Sequence, residues 1–236
     1  MKTIKSIIKE LLSAIYPNKC VCCGEIIDNN KQLCSDCDLN LERVDVNDFC
    51  TKCGLEKASC VCEYNVYRFD SLICSFKNQG FAQKIYYSYK FGKKQFYVDF
   101  LVDEMCKSIE NFYKDNTFDY ICSVPTFKKL GYDHSGYIAK EVSKRLNIPV
   151  ASNLLKVVKR SKSQHKSTFK ERMENVEGKY IYNYRIDGKN ILLIDDIKTT
   201  GATIDECTRI LLYAGADSVS CVVALSSETN KTKTKN

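Results

Sequence analysis

The sequence predicts an α/β domain built on a parallel sheet and preceded by a small cysteine-rich module, and three observations carry that prediction. From about Phe69 onward, apolar runs of strand length alternate with stretches of helical periodicity, the pattern of an α/β sheet. Residues 191–203 read ILLIDDIKTTGAT: four apolar residues suited to a strand buried on both faces, two acids, then a turn rich in threonine and glycine. Nine of the fourteen cysteines lie between Cys20 and Cys62, so the first quarter of the chain is chemically unlike the rest. The 236 residues suit a medium domain with an appendage. The expected division is 1–66 for an N-terminal helix and cysteine module, 67–225 for the α/β domain and 226–236 for a flexible tail.

Residues 1–16 space Ile4, Ile7, Ile8, Leu11, Leu12 and Ile15 at helical intervals among lysines. This predicts an amphipathic helix packed on the protein's own body, with docking on a partner or membrane surface as the alternative. The segment has neither a continuous apolar core nor a small-residue cleavage site, so no signal peptide is expected, and no stretch reaches membrane-spanning length. The cytoplasm is therefore the expected compartment, where clustered thiols hold metal more often than they form disulfides.

Cys20 and Cys23 form one C-x-x-C knuckle and Cys34 with Cys37 a second; Cys50 with Cys53 repeats the motif, and Cys60 with Cys62 completes a second set of four. A C-x-x-C turn lets two sulfurs converge on one ion, Gly24 and Gly54 permit the tight backbone that follows, and four thiolates close a tetrahedral structural zinc. Two structural zinc sites are expected, a double ribbon that folds a segment without a core of its own. Cys22 competes with Cys20 as ligand, and the spacing favours Cys20. Iron–sulfur clusters use similar ligands but commonly other spacings. Cys74, Cys106, Cys122, Cys207 and Cys221 are scattered in apolar contexts and read as ordinary buried thiols. The formal charge of +7 counts thiols as neutral. Two tetrathiolate zinc sites would lower it to about +3, so global basicity says little about partners.

In the body, residues 70–76 predict a strand, 81–89 a helix, and 96–113 a longer helix with Phe96, Phe100, Leu101, Met105 and Ile109 on one side. The run 118–124, FDYICSV, reads as a buried strand ended by Pro125, followed by a crossover helix over 136–146 and a strand around 150–158. Residues 159–177 are polar and basic with few apolar anchors, which predicts a mobile loop. Strands at 179–184, 191–194 and 218–225 complete the sheet, and Gly215 ends a helix over 203–213.

Ligands of open α/β sheets bind at the carboxyl ends of the strands, where the 191–203 segment places its polar residues. Asp195 and Asp196 offer acceptors for sugar hydroxyls or a magnesium shell. The backbone N–H groups of Lys198, Thr199, Thr200, Gly201, Ala202 and Thr203 can curl around one phosphate at a helix N-terminus, with three threonine hydroxyls as further donors. Together they point to a phosphorylated sugar.

The ILLIDDIKTTGAT segment resembles the phosphoribosyl diphosphate signature of type I phosphoribosyltransferases. In that family the acid pair holds the ribose hydroxyls and the TTGAT-like loop the 5′-phosphate, which implies those roles for Asp195, Asp196 and residues 198–203. A double zinc ribbon followed by such a domain is similar to the ComF (ComFC) family of natural transformation. Residues 123–126 match that family's V-P-V-P-like turn, 131–134 its R-G-F-N-Q segment, and Gln164, Arg172 and Asn175 its Q-x(7)-R-x-x-N run. The family arginine before Gly131 is Leu130 here and the family asparagine is Asp133, so any phosphate contact that arginine makes is either absent here or supplied by Lys128 or Lys129.

By that resemblance, phosphoribosyl diphosphate and magnesium are the expected ligands, Thr126, Lys128 and Arg172 lie on the pyrophosphate side, and the 159–177 loop closes over it. The family also implies single-stranded DNA, a competence helicase and recombination proteins as partners, and work beside the DNA-uptake machinery at the inner membrane face. This chain has no GxxxxGK[ST] motor motif of its own. The YYSYKFGKK stretch interleaves Tyr86, Tyr87, Tyr89 and Phe91 with Lys90, Lys93 and Lys94. That is the composition of a single-strand stacking surface and equally of an amphipathic helix end. No segment identifies a base-binding hood, so a purine or pyrimidine salvage transferase and a non-catalytic DNA-binding module stand as the rival readings.

Overall fold

The computed structural model describes residues 17–28, 31–45, 47–60, 62–63, 66–92, 95–126, 132–158 and 176–227. The N-terminal helix, the 159–175 part of the basic loop, Lys93, Lys94, Lys128 and Arg172 lie outside these residues, as does the tail beyond 227.

Four strands form a parallel sheet in the order β1 (Ser71–Lys77), β6 (Ser218–Ser226), β5 (Asn190–Lys198), β2 (Tyr120–Ser123). The centre is fully buried because β5 and β6 are apolar on both faces: Leu192 and Ile194 point into one core, Ile191 and Leu193 into the other. Helices α2 (Gly80–Gly92), α3 (Gln95–Phe112) and α4 (His134–Leu146) cover the first face. Helix α5 (Ala202–Tyr213) covers the second. Among the described residues, no helix is long and apolar enough to cross a membrane.

Two expectations are corrected. The strand expected over 150–158 is split: Val150 makes one parallel bridge to Ile121, the chain turns with Asn153 in the left-handed region, and β3 (Leu155–Val157) pairs antiparallel with β4 (Tyr180–Tyr182) in a separate ribbon. Asparagine tolerates that turn, and Asn183 Nδ2 donates to the Asn153 carbonyl at 2.5 Å. Phe96, expected on the apolar side of this helix, is 46% exposed and lies against Tyr97; Val98, Phe100, Leu101, Val102, Met105 and Ile109 are buried.

The cysteine module straddles the edge of the sheet. Its first half, with the short helix α1 (Ser35–Leu39), packs into the α2–α3 core, where Gln32 Nε2 donates to Asp103 and Arg43 to Glu104. Its second half joins the opposite core through Cys53 and Leu55. Between them, residues 42–44 run antiparallel to β1: the Val44 N–H donates to Ser75 and the Lys77 N–H to Glu42. This covers an edge that would otherwise present unpaired backbone groups. The Glu42 carboxylate then accepts the N–H groups of Phe81 and Ala82, satisfying free donors at the start of α2.

Candidate functional site

The carboxyl end of β5 carries the acid pair. Strand pairing continues past Ile194 through Lys198, opposite Ser226, so Asp195 and Asp196 are held within the sheet and not on a free loop. Asp195 Oδ1 accepts the Ser135 hydroxyl from the first turn of α4 at 2.8 Å and the Asp196 N–H at 2.9 Å. Asp196 Oδ2 accepts the Tyr86 hydroxyl at 2.5 Å and Lys90 Nζ at 3.1 Å, and Lys90 also reaches the Tyr86 oxygen at 2.7 Å. Burial, with the Asp196 charge beside it, pushes the Asp195 carboxyl up to about 8; Ser135 and the Asp196 N–H pull the other way. Burial and the same acidic neighbour push the Tyr86 phenol well above its ordinary range.

The turn from β5 into α5 is short. Gly201, at the N-cap of α5, has φ 83, the left-handed region, and a Cβ there would stand 3.2 Å from the Tyr67 ring. The Ala202 N–H reaches Thr200 Oγ1 at 3.4 Å and the Asp205 N–H the Gly201 carbonyl at 2.9 Å, and the first amides of a helix, which precede its own hydrogen-bond ladder, suit an anion. Thr200 is buried, Thr199 exposed and Thr203 half-buried. Lys198 departs from the expected cradle: its side chain is 1% exposed, and its electrostatic neighbours are Cys74, Cys53, Cys62 and Cys50. The first exposed residue of the turn is therefore Thr199.

Thr126 stands at the end of β2, its hydroxyl 3.4 Å from Asp133 Oδ1. Asp133, at the position of the family's asparagine, caps α4 by accepting the Gly136 N–H at 3.0 Å, a task that either residue performs. Thr126 and Asp133 line a cavity of about 910 Å³ between α4 and the β3–β4 ribbon, with Lys140, Lys156 and Asn183 on its walls. Of the lysines read as nucleic-acid contacts, Lys90 is drawn into the acid pair. The exposed aromatics beside it are Phe91, 76% accessible, and Tyr87, stacked at 5.8 Å with an interplanar angle of 7°.

The eight knuckle cysteines gather as two sets of four, Cys20, Cys23, Cys34, Cys37 and Cys50, Cys53, Cys60, Cys62, with sulfurs within 4.8 Å of one another. Cys22 is buried outside the first set. Sulfurs at about 2.3 Å from a tetrahedral zinc stand about 3.8 Å apart. The separations of 3.8 Å for Cys23 and Cys34, 3.6 Å for Cys50 and Cys62 and 3.7 Å for Cys53 and Cys60 fit that polyhedron. They are far too long for disulfides. The ribbons repeat each other in hydrogen bonding: Gly24 donates to Cys20 and Gly54 to Cys50, while Cys20 donates to Glu25 and Cys50 to Leu55. Burial raises the Cys20 and Cys50 thiols, but N–H groups of Cys23, Cys34 and Cys22 aimed at the one, and of Cys53 and Lys52 at the other, hold them down to about 6 and about 7. The donor sets fit structural zinc.

Sequence reasoning did not find Ser135, Glu42 or Tyr67. Each meets its partner across a long stretch of chain and carries no local motif.

The double zinc ribbon domain family matches residues 11–74, and the phosphoribosyl transferase domain family residues 133–236. Competence protein F of Haemophilus influenzae is 26% identical over 92 residues, 38% of this chain and 40% of that protein. DNA utilization protein YhgH of Escherichia coli K12 is 26% identical over 105 residues, 43% and 46% of the two chains. The matches therefore span less than half the length of either relative. A crystal structure of an adenine phosphoribosyltransferase aligns over 59% of this chain and 74% of its own, with 15% identity and a TM-score of 0.40. The chain thus carries a double zinc ribbon domain ahead of a phosphoribosyl transferase domain, and over part of its length it is similar to competence protein F and DNA utilization protein YhgH.

Proposed function

We propose that this protein binds phosphoribosyl diphosphate with magnesium at the carboxyl end of β5 and handles single-stranded DNA during DNA uptake. The observation that carries the reading is the joining, within one strand and turn, of a buried acid pair to a glycine-opened helix N-terminus. Asp195 and Asp196 accept the ribose hydroxyls and orient the sugar, and the amides from Thr199 to Thr203 take its 5′-phosphate. Magnesium, when bound with the ligand, neutralises the pyrophosphate leaving group. The family resemblance assigns Thr126, Lys128 and Arg172 to that group, the last two lying outside the described residues. Lys90 lies where it can exchange its contact with Asp196 for one with the ligand.

The DNA part rests on the names of the relatives, competence protein F and DNA utilization protein. The exposed Tyr87–Phe91 stack supports it, a platform on which bases can lie with Lys93 and Lys94 following in sequence. Action on incoming DNA places the protein in the cytoplasm, where the competence helicase and recombination proteins are its neighbours. Calorimetry with phosphoribosyl diphosphate and magnesium tests the site: wild type binds, and Asp195→Ala with Asp196→Ala loses at least tenfold in affinity. Equal affinity in the two proteins overturns the assignment.

A further inference from the structure

The second zinc ribbon does more than cover one face of the sheet, because its cysteines and the linker that leaves it converge on the 199–203 turn. Tyr67, five residues after Cys62, is 4% exposed, and its hydroxyl donates to the Thr200 carbonyl at 3.0 Å. Its ring backs Gly201, where a Cβ would crowd it at 3.2 Å. The next residue, Arg68, holds α5: its N–H donates to Asp205 Oδ1 at 2.6 Å and its guanidinium pairs with the other oxygen of that fully buried carboxylate. On the sheet side, Ser226 Oγ donates to the Gly54 carbonyl in the knuckle at 2.8 Å, and Ser226 pairs with Lys198. The buried Lys198 completes the link. Its ammonium lies 3.4 Å from the Thr199 carbonyl, and its electrostatic neighbours are Cys74 and three cysteines of the second set, Cys50, Cys53 and Cys62. A buried lysine needs an opposing charge, and a tetrathiolate zinc centre carries a net negative one.

Among the described residues, the first ribbon shows no such connection. Gln32 bonds Asp103 on α3, and the 42–44 segment that follows bonds Glu104 on α3, the first amides of α2 and the edge of β1; none of these reaches α5 or the 199–203 turn.

We propose that the second zinc ribbon positions the phosphate-binding turn, with Tyr67 and Lys198 as the positioning residues, so that metal at Cys50, Cys53, Cys60 and Cys62, but not at the first site, sets the order of residues 199–204. The ligand part of this inference rests on the reading of that turn as the phosphate cradle; the structural part does not.

The test compares full-length wild type, Tyr67→Phe, Cys62→Ser and Cys34→Ser for zinc content, amide hydrogen exchange at 199–204, and affinity for phosphoribosyl diphosphate with magnesium. Tyr67→Phe removes one buried hydrogen bond and keeps the ring behind Gly201. It is expected to speed exchange at 199–204 and weaken the ligand by roughly threefold to tenfold. Cys62→Ser, with zinc lost from the second site, is expected to speed exchange there further, and Cys34→Ser to leave it at the wild-type rate. Unchanged exchange in Tyr67→Phe, or equal acceleration in Cys34→Ser and Cys62→Ser, overturns the proposal. If Cys62→Ser does not fold, Tyr67→Phe decides alone. A wild type without affinity for the ligand defeats the phosphoribosyl diphosphate reading, and the exchange rates still decide this one.

Discussion

Ligand binding at the acid pair should release a proton, and Asp195 is the group that supplies it. In the free protein its carboxyl is pushed up to about 8 by burial and by Asp196, so near pH 6 it holds its proton. A ribose held by hydroxyl donation, with magnesium nearby, calls for the carboxylate. Binding must therefore ionise Asp195, and affinity should strengthen as pH rises toward 8. With the group about 1% ionised at pH 6 and about half ionised at pH 8, the gain is roughly fiftyfold over that interval. Calorimetry in buffers of different ionisation enthalpy reads the release directly: close to one proton per ligand at pH 6.5, beyond what the ligand's own phosphate contributes. Asp195→Asn provides the correction, since it retains the ligand's titration and lacks the residue's. The same shift acts on stability with the opposite trend. Between the ordinary carboxyl range near 4 and the folded value near 8, the folded state binds the extra proton, so stability should fall as pH rises through that window, by up to about 1.4 kcal/mol per pH unit. Equal proton release in wild type and Asp195→Asn, or affinity that weakens from pH 6 to 8 after correction, refutes the reasoning.

Gly201→Ala should cost about 1 kcal/mol or more of stability, from its left-handed backbone and the contact with Tyr67, and should weaken phosphoribosyl diphosphate more than it lowers the melting temperature; full ligand affinity in this variant would remove the turn from the site. Purified protein should hold two zinc ions, and chelation should melt the cysteine module before the sheet; fewer than one zinc per chain, or a visible iron–sulfur absorption band, rejects the two-zinc assignment. Tyr87→Ala with Phe91→Ala should weaken single-stranded DNA by about 1–3 kcal/mol per lost base stack at fixed salt; an unchanged titration curve removes that face as the DNA surface.

Much of the sheet was readable because its signals are local. The run 191–194 is apolar without alternation, which only burial on both faces explains, and the knuckle spacing names its ligands residue by residue. The extent of β5 was not readable. Asp195, Asp196 and Lys198 are poor strand residues by composition, and they are strand because β6 pairs alongside them as far as Ser226. The failure at 150–158 has the same origin: Val150 finds Ile121, whereas Leu155–Val157 finds a partner 25 residues further on.

Lys90 shows what separates a composition from a site. In sequence it stands among tyrosines and lysines, and such interleaving describes a nucleic-acid surface and an ordinary helix end equally well. What decides is the angle of α2 about its axis, and that angle is set far away. Glu42, between the two ribbons, accepts the amides of Phe81 and Ala82, and Ala82, Ile85, Tyr86 and Tyr89 then bury one face of the helix. Tyr86 and Lys90, four apart, share that face, so both arrive at Asp196, while Tyr87 and Phe91, the next pair round, are left exposed and stacked. The helix thus divides its motif by periodicity: one pair serves the acid site and the other faces solvent. A ligand that draws Lys90 from Asp196 would disturb the turn of helix that carries the exposed rings, so sugar-phosphate binding and single-strand binding should be coupled through α2. Lys90→Met, which keeps the aliphatic stem and removes the charge, is the substitution that separates them: it should alter the dependence of DNA affinity on phosphoribosyl diphosphate while leaving the Tyr87–Phe91 stack in place, and identical dependence in wild type and variant would show the two faces of α2 to be independent.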